Sequence, residues 1–589
     1  MSTLDRWLHE GWLRPVDHAL ADTLRRLRPD TPEPVLLAAA LASHALAFGH
    51  GQLPLARAAD LFLEIDAERP PPVMPELASW LEAVTTSPWV LPPGDAAAHN
   101  APLVFEQGQL YLRRYWRYEQ SLADALRART LAAPPLAVDA AWRRQRLAEL
   151  FPLLATDPED AQARAASALL DTRLLLLTGG PGTGKTTTVT RALVLAVEAA
   201  LRAGQAPPRI VLAAPTGKAA ARLAESLREN LAALLAQGVI TQDVADCLPA
   251  QASTLHRLLG WRAGGTGFAH DAANPLRADG VVVDEASMVD LPMMARLVAA
   301  VAPHAGLLLV GDPDQLPSVD TGDVLAALCD RESVLPRVHL HRVHRQDAGL
   351  GVGALAARIR DGDAEGVLAT LQSGTATGVS WLAGTDRGLP SAALAAALPA
   401  YRAVQQAANP ADALERAKQF RLLTALRDGP SGSVELNARI ADALRPVGER
   451  DQRLFPGALL MVTANSPRHG LFNGDIGVAW PDEQGQLRVW FDAGGSDGPR
   501  AWLPAALPAH EFAFALTVHK SQGSEFGEVF LALPERGARV LSRELLYTGL
   551  TRCRRGVTLW ASETALRDGI GRGAQRWSGL AQRLLTTSC

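Results

Sequence analysis

Residues 173–190 read RLLLLTGGPGTGKTTTVT, an apolar run followed by a glycine-rich turn and a helix-forming segment. Residues 179–186 match the pattern G-x-x-x-x-G-K-[ST]. Glycines in this pattern let successive backbone N–H groups turn inward around phosphate oxygens, and the start of the helix contributes the positive end of its dipole. The segment therefore predicts a buried strand at Arg173–Thr178, followed by a phosphate-binding loop and a helix.

The same pattern assigns roles to the residues at the end of the loop. Lys185 is expected to bridge the β- and γ-phosphates of a nucleotide, and the Thr186 hydroxyl to bind Mg²⁺. Asp284 and Glu285 follow the apolar run Val281–Val283, where the other half of such a site belongs. Asp284 is expected to bind Mg²⁺, and Glu285 to polarise the attacking water. An acidic pair after a strand can also be a solvated strand end, but together with the loop it predicts a nucleoside triphosphate hydrolase.

The composition excludes several classes of protein. The chain has 589 residues, 48% hydrophobic and 20% charged, with a formal net charge of −4, so it is neither disordered nor collagen-like. Its first residues, MSTLDRWLHEGW, do not form a signal peptide, and its most apolar run, Pro34–Phe48, is too short to span a bilayer. The four cysteines have no metal-ligand spacing, which indicates a reducing cytosol. They are Cys247, Cys329, Cys553 and Cys589. We expect a cytoplasmic protein that does not bind membranes.

Lysine is rare in this chain, because only four of the 58 basic residues are lysines. They are Lys185, Lys218, Lys418 and Lys520. The bias toward arginine is typical of a GC-rich coding sequence. Arginine is a planar fork whereas lysine is a compact point charge, so a retained lysine indicates a place that arginine does not suit. Lys418 lies in an ordinary polar segment, ALERAKQF, and is predicted to be on the surface.

Strand-like runs alternate with alanine-rich segments from residue 146 onward, which is typical of parallel strands joined by crossover helices. Besides Arg173–Thr178 and Val281–Val283, the predicted strands are Ile210–Ala214, Leu307–Val310, Arg337–Leu340, Arg421–Leu426, Val529–Leu533 and Gly556–Trp560. Residues 450–510 depart from this alternation of strands and helices, because their strand-like pieces are separated by Gly, Asn and Asp rather than by helical segments. These pieces are Leu459–Thr463, Ile476–Trp480, Leu487–Phe491 and Ala501–Leu503. They predict a small antiparallel unit inserted in an α/β domain.

Residues 1 to about 110 are predicted to form a separate helical unit, because apolar residues recur there at helical spacing. The run Pro102–Gln120 predicts a hairpin that leads into a helix. Its aromatic and basic residues allow two interpretations, a nucleic-acid surface or packing between domains. These residues are Tyr111, Arg113, Arg114, Tyr115 and Trp116. Packing is favoured, because a single-strand platform needs its aromatic rings exposed in a groove.

Further motifs follow the phosphate loop in a fixed order. They are APTGKAAARLAES (214–226), STLHRLLG (253–260), VVVDEASMVD (281–290), VGDPDQLPSV (310–319), HRVHR (341–345), LTVHKSQGSEF (516–526) and LYTGLTRCRRG (546–556). This series resembles the superfamily 1 helicases, in particular the branch that moves 5′→3′ on single-stranded DNA. Within that branch it is similar to the α subunits of exodeoxyribonuclease V, the RecBCD complex. The resemblance through motifs covers residues 150–589.

The resemblance implies an α/β fold with two RecA-like P-loop NTPase domains, an inserted small β-barrel-like unit and a helical N-terminal domain. The implied divisions are 1–110 for a partner-docking domain, 111–145 for a connector, 146–330 for the first motor domain, 331–449 and 511–589 for the two parts of the second, and 450–510 for the insertion.

The resemblance also implies roles for individual residues. The implied catalytic residues are Lys185, Asp284, Glu285, Gln315, Arg345 and Arg552, of which Gln315 would sense the γ-phosphate and the two arginines would reach across from the second motor domain. The implied ATP contacts are Gln162, which would read adenine, Gly179, Gly180, Pro181, Gly182, Thr183, Gly184, Lys185, Thr186, Thr187, Gly523 and Glu525. The implied DNA contacts are Pro215, Thr216, Lys218, Thr254, His256, Thr517, His519, Lys520 and Ser521.

The implied function is that of an ATP- and Mg²⁺-dependent 5′→3′ DNA helicase subunit that works from double-strand ends in recombinational repair and degradation of foreign DNA. The implied partners are DNA and the β and γ subunits, with the nuclease on a partner subunit. A free-standing helicase of the same branch is the first alternative, but such relatives usually carry helix-hairpin-helix repeats, and no convincing pair of those turns is present here. A scaffold with an inactive motor is the second alternative, and the complete motif set argues against it.

Overall fold

The computed structural model of the chain describes residues 2–63, 70–92, 101–134, 138–262, 267–330, 332–342, 351–446, 454–466, 468–492, 498–535, 540–574 and 576–585. Four β-sheets with their flanking helices divide these residues into an N-terminal unit, two motor domains and an insertion. The predicted α/β fold class is confirmed. Among the helices in these ranges, none is long and apolar enough to cross a membrane.

The N-terminal unit combines helices with a small sheet. Its elements are α1 (Thr3–His9), α2 (Pro15–Leu27), α3 (Glu33–Ala47), β1 (Leu53–Pro54), α4 (Asp60–Leu63), α5 (Leu77–Thr85), β2 (Val90–Leu91), β3 (Leu103–Glu106), β4 (Gln109–Leu112) and α6 (Arg113–Thr130). The strands are ordered β1-β4-β3-β2. The hairpin predicted within Pro102–Gln120 is confirmed as β3 and β4, and α6 follows it directly. Sequence analysis missed β1 and β2, because two-residue strands are too short to show a periodic pattern.

The aromatic residues of this hairpin pack between domains, which confirms the favoured interpretation. Tyr111 is buried, and the Arg583 guanidinium lies 5.7 Å from its ring centroid and 5.5 Å from that of Trp116. Trp116 Nε1 also donates a hydrogen bond of 3.1 Å to Glu106 Oε2. Rings enclosed in this way are not available as a stacking surface for bases.

The first motor domain is a parallel sheet between two layers of helices. Its elements are α7 (Ala140–Leu150), α8 (Ala161–Asp171), β5 (Leu174–Gly179), α9 (Lys185–Arg202), β6 (Ile210–Ala214), α10 (Gly217–Ala236), α11 (Gln242–Asp246), β7 (Ala252–Thr254), α12 (Leu255–Leu258), β8 (Gly280–Val283), α13 (Leu291–Ala300), β9 (Gly306–Gly311), α14 (Val324–Leu328) and β10 (Arg337–Leu340). The six strands are ordered β10-β5-β9-β8-β6-β7 and are all parallel. Every residue of β5 is buried, because helices cover both faces of such a sheet.

One domain boundary differs from the prediction. The strand Arg337–Leu340 was assigned to the second motor domain, but as β10 it pairs with β5 and forms the edge of the first sheet. The pattern of a strand predicts that it is buried in a parallel sheet, but it does not indicate which of two similar sheets the strand joins. The chain therefore leaves the first motor domain after residue 340.

The second motor domain is a second parallel sheet. Its elements are α15 (Gly351–Arg360), α16 (Ala364–Ser373), β11 (Val379–Leu382), α17 (Leu389–Gln405), α18 (Pro410–Ala417), β12 (Phe420–Thr424) and α19 (Ser433–Leu444) before the insertion. After it come β18 (Ala515–Thr517), β19 (Phe526–Ala532), α20 (Arg543–Leu550), β20 (Cys553–Trp560) and α21 (Glu563–Gly571). The strands are ordered β11-β20-β19-β12-β18 and run parallel.

The insertion is an antiparallel sheet. Its strands are β13 (Leu459–Val462), β14 (Ile476–Pro481), β15 (Leu487–Phe491), β16 (Arg500–Trp502) and β17 (His510–Phe512), in the order β16-β15-β14-β13-β17. The first four match the predicted pieces to within one residue at each end. Phe472, in the β13–β14 connection, lies where a Cβ on Gly217 would come within 2.5 Å of its ring, so the insertion packs directly on the first motor domain.

The C-terminal segment returns to the N-terminal unit, although residues 511–589 were assigned to the second motor domain. The His50 ring stacks on Trp577 at 4.0 Å, and Gly51 N–H donates to Trp577 O at 2.7 Å. Helix α22 (Leu580–Leu585) then buries Leu580 and Leu584 in the core of the first motor domain. The contacts between Trp577 and His50 join residues 527 positions apart in the chain, which no local pattern reveals.

Glu119 on α6 is the buried carboxylate that holds this segment. It is fully buried and accepts hydrogen bonds from Ser578 Oγ (2.6 Å), Gly579 N–H (3.1 Å) and Arg583 Nε (3.4 Å). Glu119→Ala removes the buried acceptor that these three donors share, although Arg583 keeps its pair with Glu106, so we expect the free energy of unfolding to fall by about 3–5 kcal/mol. Denaturant titration followed by tryptophan fluorescence measures the change. Glu149→Ala, which breaks an exposed pair with Arg146, is the matched control and should cost less than about 1 kcal/mol.

Candidate nucleotide-binding cleft

The phosphate loop is already folded around the start of α9. Gly182 and Gly184 have φ values of +76° and +83°, a region in which a side chain would be strained, so the glycines of the pattern are needed for this turn. Lys185 Nζ donates to Gly179 O at 2.6 Å and to Gly180 O at 3.0 Å. Among the described residues, no carboxylate lies within ion-pairing distance of this ammonium group. The loop therefore presents a cation whose hydrogen-bond partners are neutral carbonyl groups.

The acidic pair lies at the carboxyl end of β8, on the same edge of the sheet. Glu285 has a φ of +52°, which is unfavourable for a residue with a side chain and is typical of strained functional positions. Its N–H donates to Asp284 Oδ1 at 2.9 Å, which fixes the Asp284 carboxylate. Burial and the neighbouring Glu285 carboxylate raise the pKa of Asp284 to about 6. A divalent cation bound to Asp284 would favour the ionised form of its carboxyl group.

Mg²⁺ suits this donor set. It is usually bound by one or two carboxylates together with substrate phosphates and water, rather than by a cage of protein ligands. The cleft offers the Asp284 carboxylate and the Thr186 hydroxyl beside the phosphate loop. Among the described residues, no group of three or more His, Cys, Asp or Glu side chains could hold a metal by itself. The residues present therefore fit a magnesium ion that arrives with a nucleotide.

A cavity of about 420 Å³ separates the two motor domains at this point. Its first wall carries the loop residues 181–187 with Asp284, Glu285 and Gln315, and its second wall carries Gly523, Glu525, Arg552 and Arg554. The structure thus brings together most of the predicted catalytic and ATP-contacting residues. Arg345 lies outside the described residues.

Arg552 is the buried cation of the second wall. Only 3% of this residue is exposed, and its Nε and Nη1 donate to Thr548 O (3.1 Å) and Ser524 O (3.4 Å). In the part of the chain that the structure describes, no carboxylate pairs with it. Burying an uncompensated charge is costly, so the cleft has a strong preference for an anion at this wall.

Gln315 is held in place by residues that the sequence analysis did not single out. Its Nε2 donates to Asp312 Oδ2 at 3.1 Å, and Tyr547 Oη, on α20 of the second motor domain, donates to the same oxygen at 3.1 Å. Burial and the Asp312 carboxylate raise the pKa of Tyr547 well above its usual range, so the phenol stays a donor. Asp312 and Tyr547 both lie within the motifs given above, but the sequence does not indicate that these two motifs are in contact.

Gln162 lies beside the phosphate loop. It is buried at the start of α8, and its Nε2 donates to Thr183 O at 3.2 Å. This contact places the amide next to the loop, and reading of adenine by Gln162 stays a prediction.

The predicted DNA contacts are not gathered on one exposed surface. Thr216, Thr254 and Thr517 each accept a backbone N–H three residues on, as caps do. Ser521 is fully buried and donates to Val518 O, and Pro215 is partly buried beside Thr216.

The two lysines of the predicted DNA set each have a partner in a neighbouring unit of the fold. Lys218 Nζ donates to Ser524 Oγ at 2.7 Å, and burial lowers the pKa of Lys218 to about 8. Lys520 Nζ pairs with Glu511 at 2.5 Å. Burial also lowers the pKa of His519, whereas His256 is exposed beside Trp261. Contact of these residues with DNA stays a prediction.

Comparison with known proteins gives three family matches. Residues 9–111 match the N-terminal domain of RecBCD enzyme subunit RecD, residues 162–321 match an AAA domain, and residues 512–560 match a UvrD-like helicase C-terminal domain. A solved structure of Pif1 helicase from Candida albicans aligns with 68% of this chain and 94% of its own, with a TM-score of 0.38 and 16% identity.

Several relatives extend over much of the chain. RecBCD enzyme subunit RecD of Mycobacterium tuberculosis (strain ATCC 25618 / H37Rv) is 40% identical, covering 98% of this chain and 96% of its own. RecD of Haemophilus influenzae is 33% identical over 83% of this chain and 82% of its own. The ATP-dependent RecD2 DNA helicase of Deinococcus radiodurans is 34% identical over 76% of this chain but only 54% of its own. On these matches, the chain belongs to the RecD family of RecBCD enzyme subunits.

Proposed function

We propose that this chain is an ATP-dependent DNA helicase subunit of a RecBCD-type exodeoxyribonuclease V, moving 5′→3′ on single-stranded DNA. The observation that carries the proposal is the pair of cations on opposite walls of one cleft. Lys185 comes from the first motor domain and Arg552 from the second, and both have carbonyl partners. Both face a cavity that is large enough for a nucleoside triphosphate. A polyphosphate supplies the negative charge that both cations need.

The roles of the cleft residues follow from their positions. Asp284 and Thr186 would hold Mg²⁺, which neutralises charge on the β- and γ-phosphates when bound. Glu285 would polarise the attacking water, and Arg552 would stabilise charge on the transferred phosphoryl group. Gln315, fixed by Asp312, is placed to register the γ-phosphate. Because these residues come from two domains, hydrolysis requires closure of the cleft and product release favours its opening.

Movement along DNA is proposed to come from this closure. DNA would lie across both motor domains, with contacts from the loops that carry Pro215, Thr216 and Lys218, Thr254 and His256, and residues 517–521. Alternate gripping by the two domains during one cycle of closure and opening converts ATP hydrolysis into a step. The inserted sheet, which packs on Gly217, is placed to guide the strand.

Assembly with β and γ subunits is proposed through residues 1–110, and the nuclease is assigned to a partner subunit. The match of residues 9–111 to the N-terminal domain of RecBCD enzyme subunit RecD favours the subunit over a free-standing helicase. The intact cleft favours an active motor over a scaffold. Purification of the full chain from its host, with identification of the chains that co-purify, tests the assembly.

The direction of movement is tested with two DNA substrates. The full chain is expected to displace the strand from a duplex with a single-stranded 5′ tail much faster than from a duplex with a 3′ tail, and only with ATP and Mg²⁺. Release of a labelled strand measures the rate. Equal rates on both substrates, or a preference for the 3′ tail, would contradict 5′→3′ movement. Absence of DNA-stimulated ATP hydrolysis would contradict the motor itself.

A further inference from the structure

Two basic side chains on α10 of the first motor domain hold a loop of the second motor domain across the nucleotide cleft. Lys218 Nζ donates to Ser524 Oγ at 2.7 Å. One helical turn later, Arg222 Nη2 pairs with Glu525 Oε2 at 2.9 Å and Nη1 donates to Gly523 O at 3.1 Å. Residues four apart lie on the same face of a helix, so one face of α10 binds three consecutive residues of the loop.

The contacts of Arg222 are stronger than those of an ordinary surface pair. Its side chain is 36% exposed, but that of Glu525, which also pairs with Arg554 at 3.2 Å, is only 12% exposed, so the ion pair is partly shielded from water. The guanidinium uses its fork to reach a carboxylate and a carbonyl at once, which fixes direction as well as charge. Gly523 has a φ of +69°, which a residue with a side chain adopts only under strain.

The position of this link connects two predicted binding surfaces. Gly523 and Glu525 face the cleft that we assign to ATP, and Arg222 lines the same cavity. Helix α10 begins immediately after Pro215 and Thr216, two of the predicted DNA contacts. Since α10 and the loop belong to different motor domains, these contacts have to break when the cleft opens and form again when it closes.

We propose that Arg222 is a positioning residue that couples the state of the nucleotide cleft to the DNA-facing end of α10, an inference that rests on the proposed function. In the closed cleft it holds loop 523–525 against α10 and thereby fixes the helix start. In the open cleft Arg222 releases the loop and the start of the helix. Coupling between two ligands requires an element with two arrangements that both ligands bias, and the contact between α10 and the loop is such an element.

The test compares DNA affinity in two nucleotide states. The dissociation constant for single-stranded DNA is measured on the full chain with ADP and with a non-hydrolysable ATP analogue. For the wild type we expect the two constants to differ by at least about fivefold, the lower end of typical coupling between sites. Arg222→Gln keeps the length of the side chain but removes its charge, so the two constants should come within about twofold of each other. Arg222→Lys retains an ion pair with Glu525 but loses the fork, and should restore part of the difference.

Matched controls separate coupling from simple loss of charge or of fold. Arg228→Gln removes an exposed arginine from the same helix and should keep the wild-type difference. Thermal unfolding verifies that each variant is folded. If Arg222→Gln does not fold, Arg222→Lys provides the test through its reduced difference.

Three outcomes would overturn the inference. Arg222→Gln with the full wild-type difference would show that the contact does not transmit the nucleotide state. An equal loss in Arg228→Gln would show that only the overall charge of α10 matters. A wild-type protein whose DNA affinity ignores the nucleotide would contradict the proposed function, and the inference would fall with it. This last outcome is seen with the wild type alone, whereas the first two are seen only with the variants. Failure of the proposed function is therefore distinguishable from failure of the role of Arg222.

Discussion

Replacing Lys185 with glutamine is expected to lower the rate of DNA-stimulated ATP hydrolysis at least about 100-fold, the loss typical of removing one preorganised donor from a charged transition state. The Lys185 ammonium group stands at the start of α9, hydrogen-bonded to Gly179 O and Gly180 O. Glutamine keeps a donor but carries no charge, so charge on the terminal phosphates loses its nearest compensation. Phosphate release in the presence of single-stranded DNA measures the rate.

The fold of this variant should be as stable as that of the wild type. A cation at the start of a helix opposes the helix dipole, so its removal does not destabilise α9. Lys418→Gln is the matched control, because Lys418 is half-exposed and pairs with Glu415 and Asp492 on the surface. Wild-type hydrolysis in Lys185→Gln would refute the assignment of the loop. An equal loss in Lys418→Gln would show that the effect has nothing to do with the cleft.

Most strands of the two motor sheets were predictable from sequence, because strands leave short runs that are rich in β-branched residues and leucine. Ile210–Ala214 and Arg337–Leu340 match the observed strands at both ends, and the strand before the phosphate loop is displaced by one residue. The loop itself was predictable because its glycines, lysine and threonine are fixed in spacing by the geometry of backbone N–H groups around a phosphate. Each of these features lies within about ten residues of chain.

The features that sequence analysis missed depend on contacts between distant segments. The pairing of β10 with β5 connects residues 161 positions apart, and the return of residues 576–585 to the N-terminal unit connects residues 459 positions apart. Tyr547 and Arg222 lie within recognised motifs, but their partners, Asp312 and Glu525, lie in other motifs. A motif indicates which residues belong to a cleft, whereas only the fold indicates which of them touch.

The rare lysines of this chain lie at positions that the sequence only partly predicted. Lys185 lies in the nucleotide cleft as predicted from the loop. Lys218 and Lys520 were interpreted as DNA contacts, and in the structure their ammonium groups are bound to Ser524 and Glu511. Lys218 is enclosed enough that a narrow point charge fits where a guanidinium fork would need more room, whereas a third of the Lys520 side chain is exposed. Retention of lysine therefore agrees with a tight site at Lys218, while its relation to DNA stays a prediction.

Arg552→Lys is expected to reduce the maximal rate of ATP hydrolysis about 1,000-fold or more, the range found when an arginine that stabilises phosphoryl transfer is lost. The Arg552 guanidinium reaches the cleft from the second motor domain and has backbone carbonyls as partners. Lysine preserves the charge but presents a single point donor in place of the planar fork. The KM for ATP should change little, because a group that acts mainly on the transition state affects kcat rather than ground-state binding.

The split between kcat and KM distinguishes this role from a structural one. If Arg552 only held Thr548 and Ser524 together, its replacement would loosen the cleft wall, and both the stability of the fold and the affinity for ATP would fall. Arg555→Gln is the matched control, since Arg555 lies on β20, three residues after Arg552, but is 58% exposed and bonded to Gln419 on the surface. Full kcat in Arg552→Lys would remove Arg552 from the mechanism. A loss shared between kcat and unfolding temperature would assign it to the packing of the wall. A loss confined to kcat would leave one explanation, that closure of the two motor domains delivers this arginine to the phosphate being transferred.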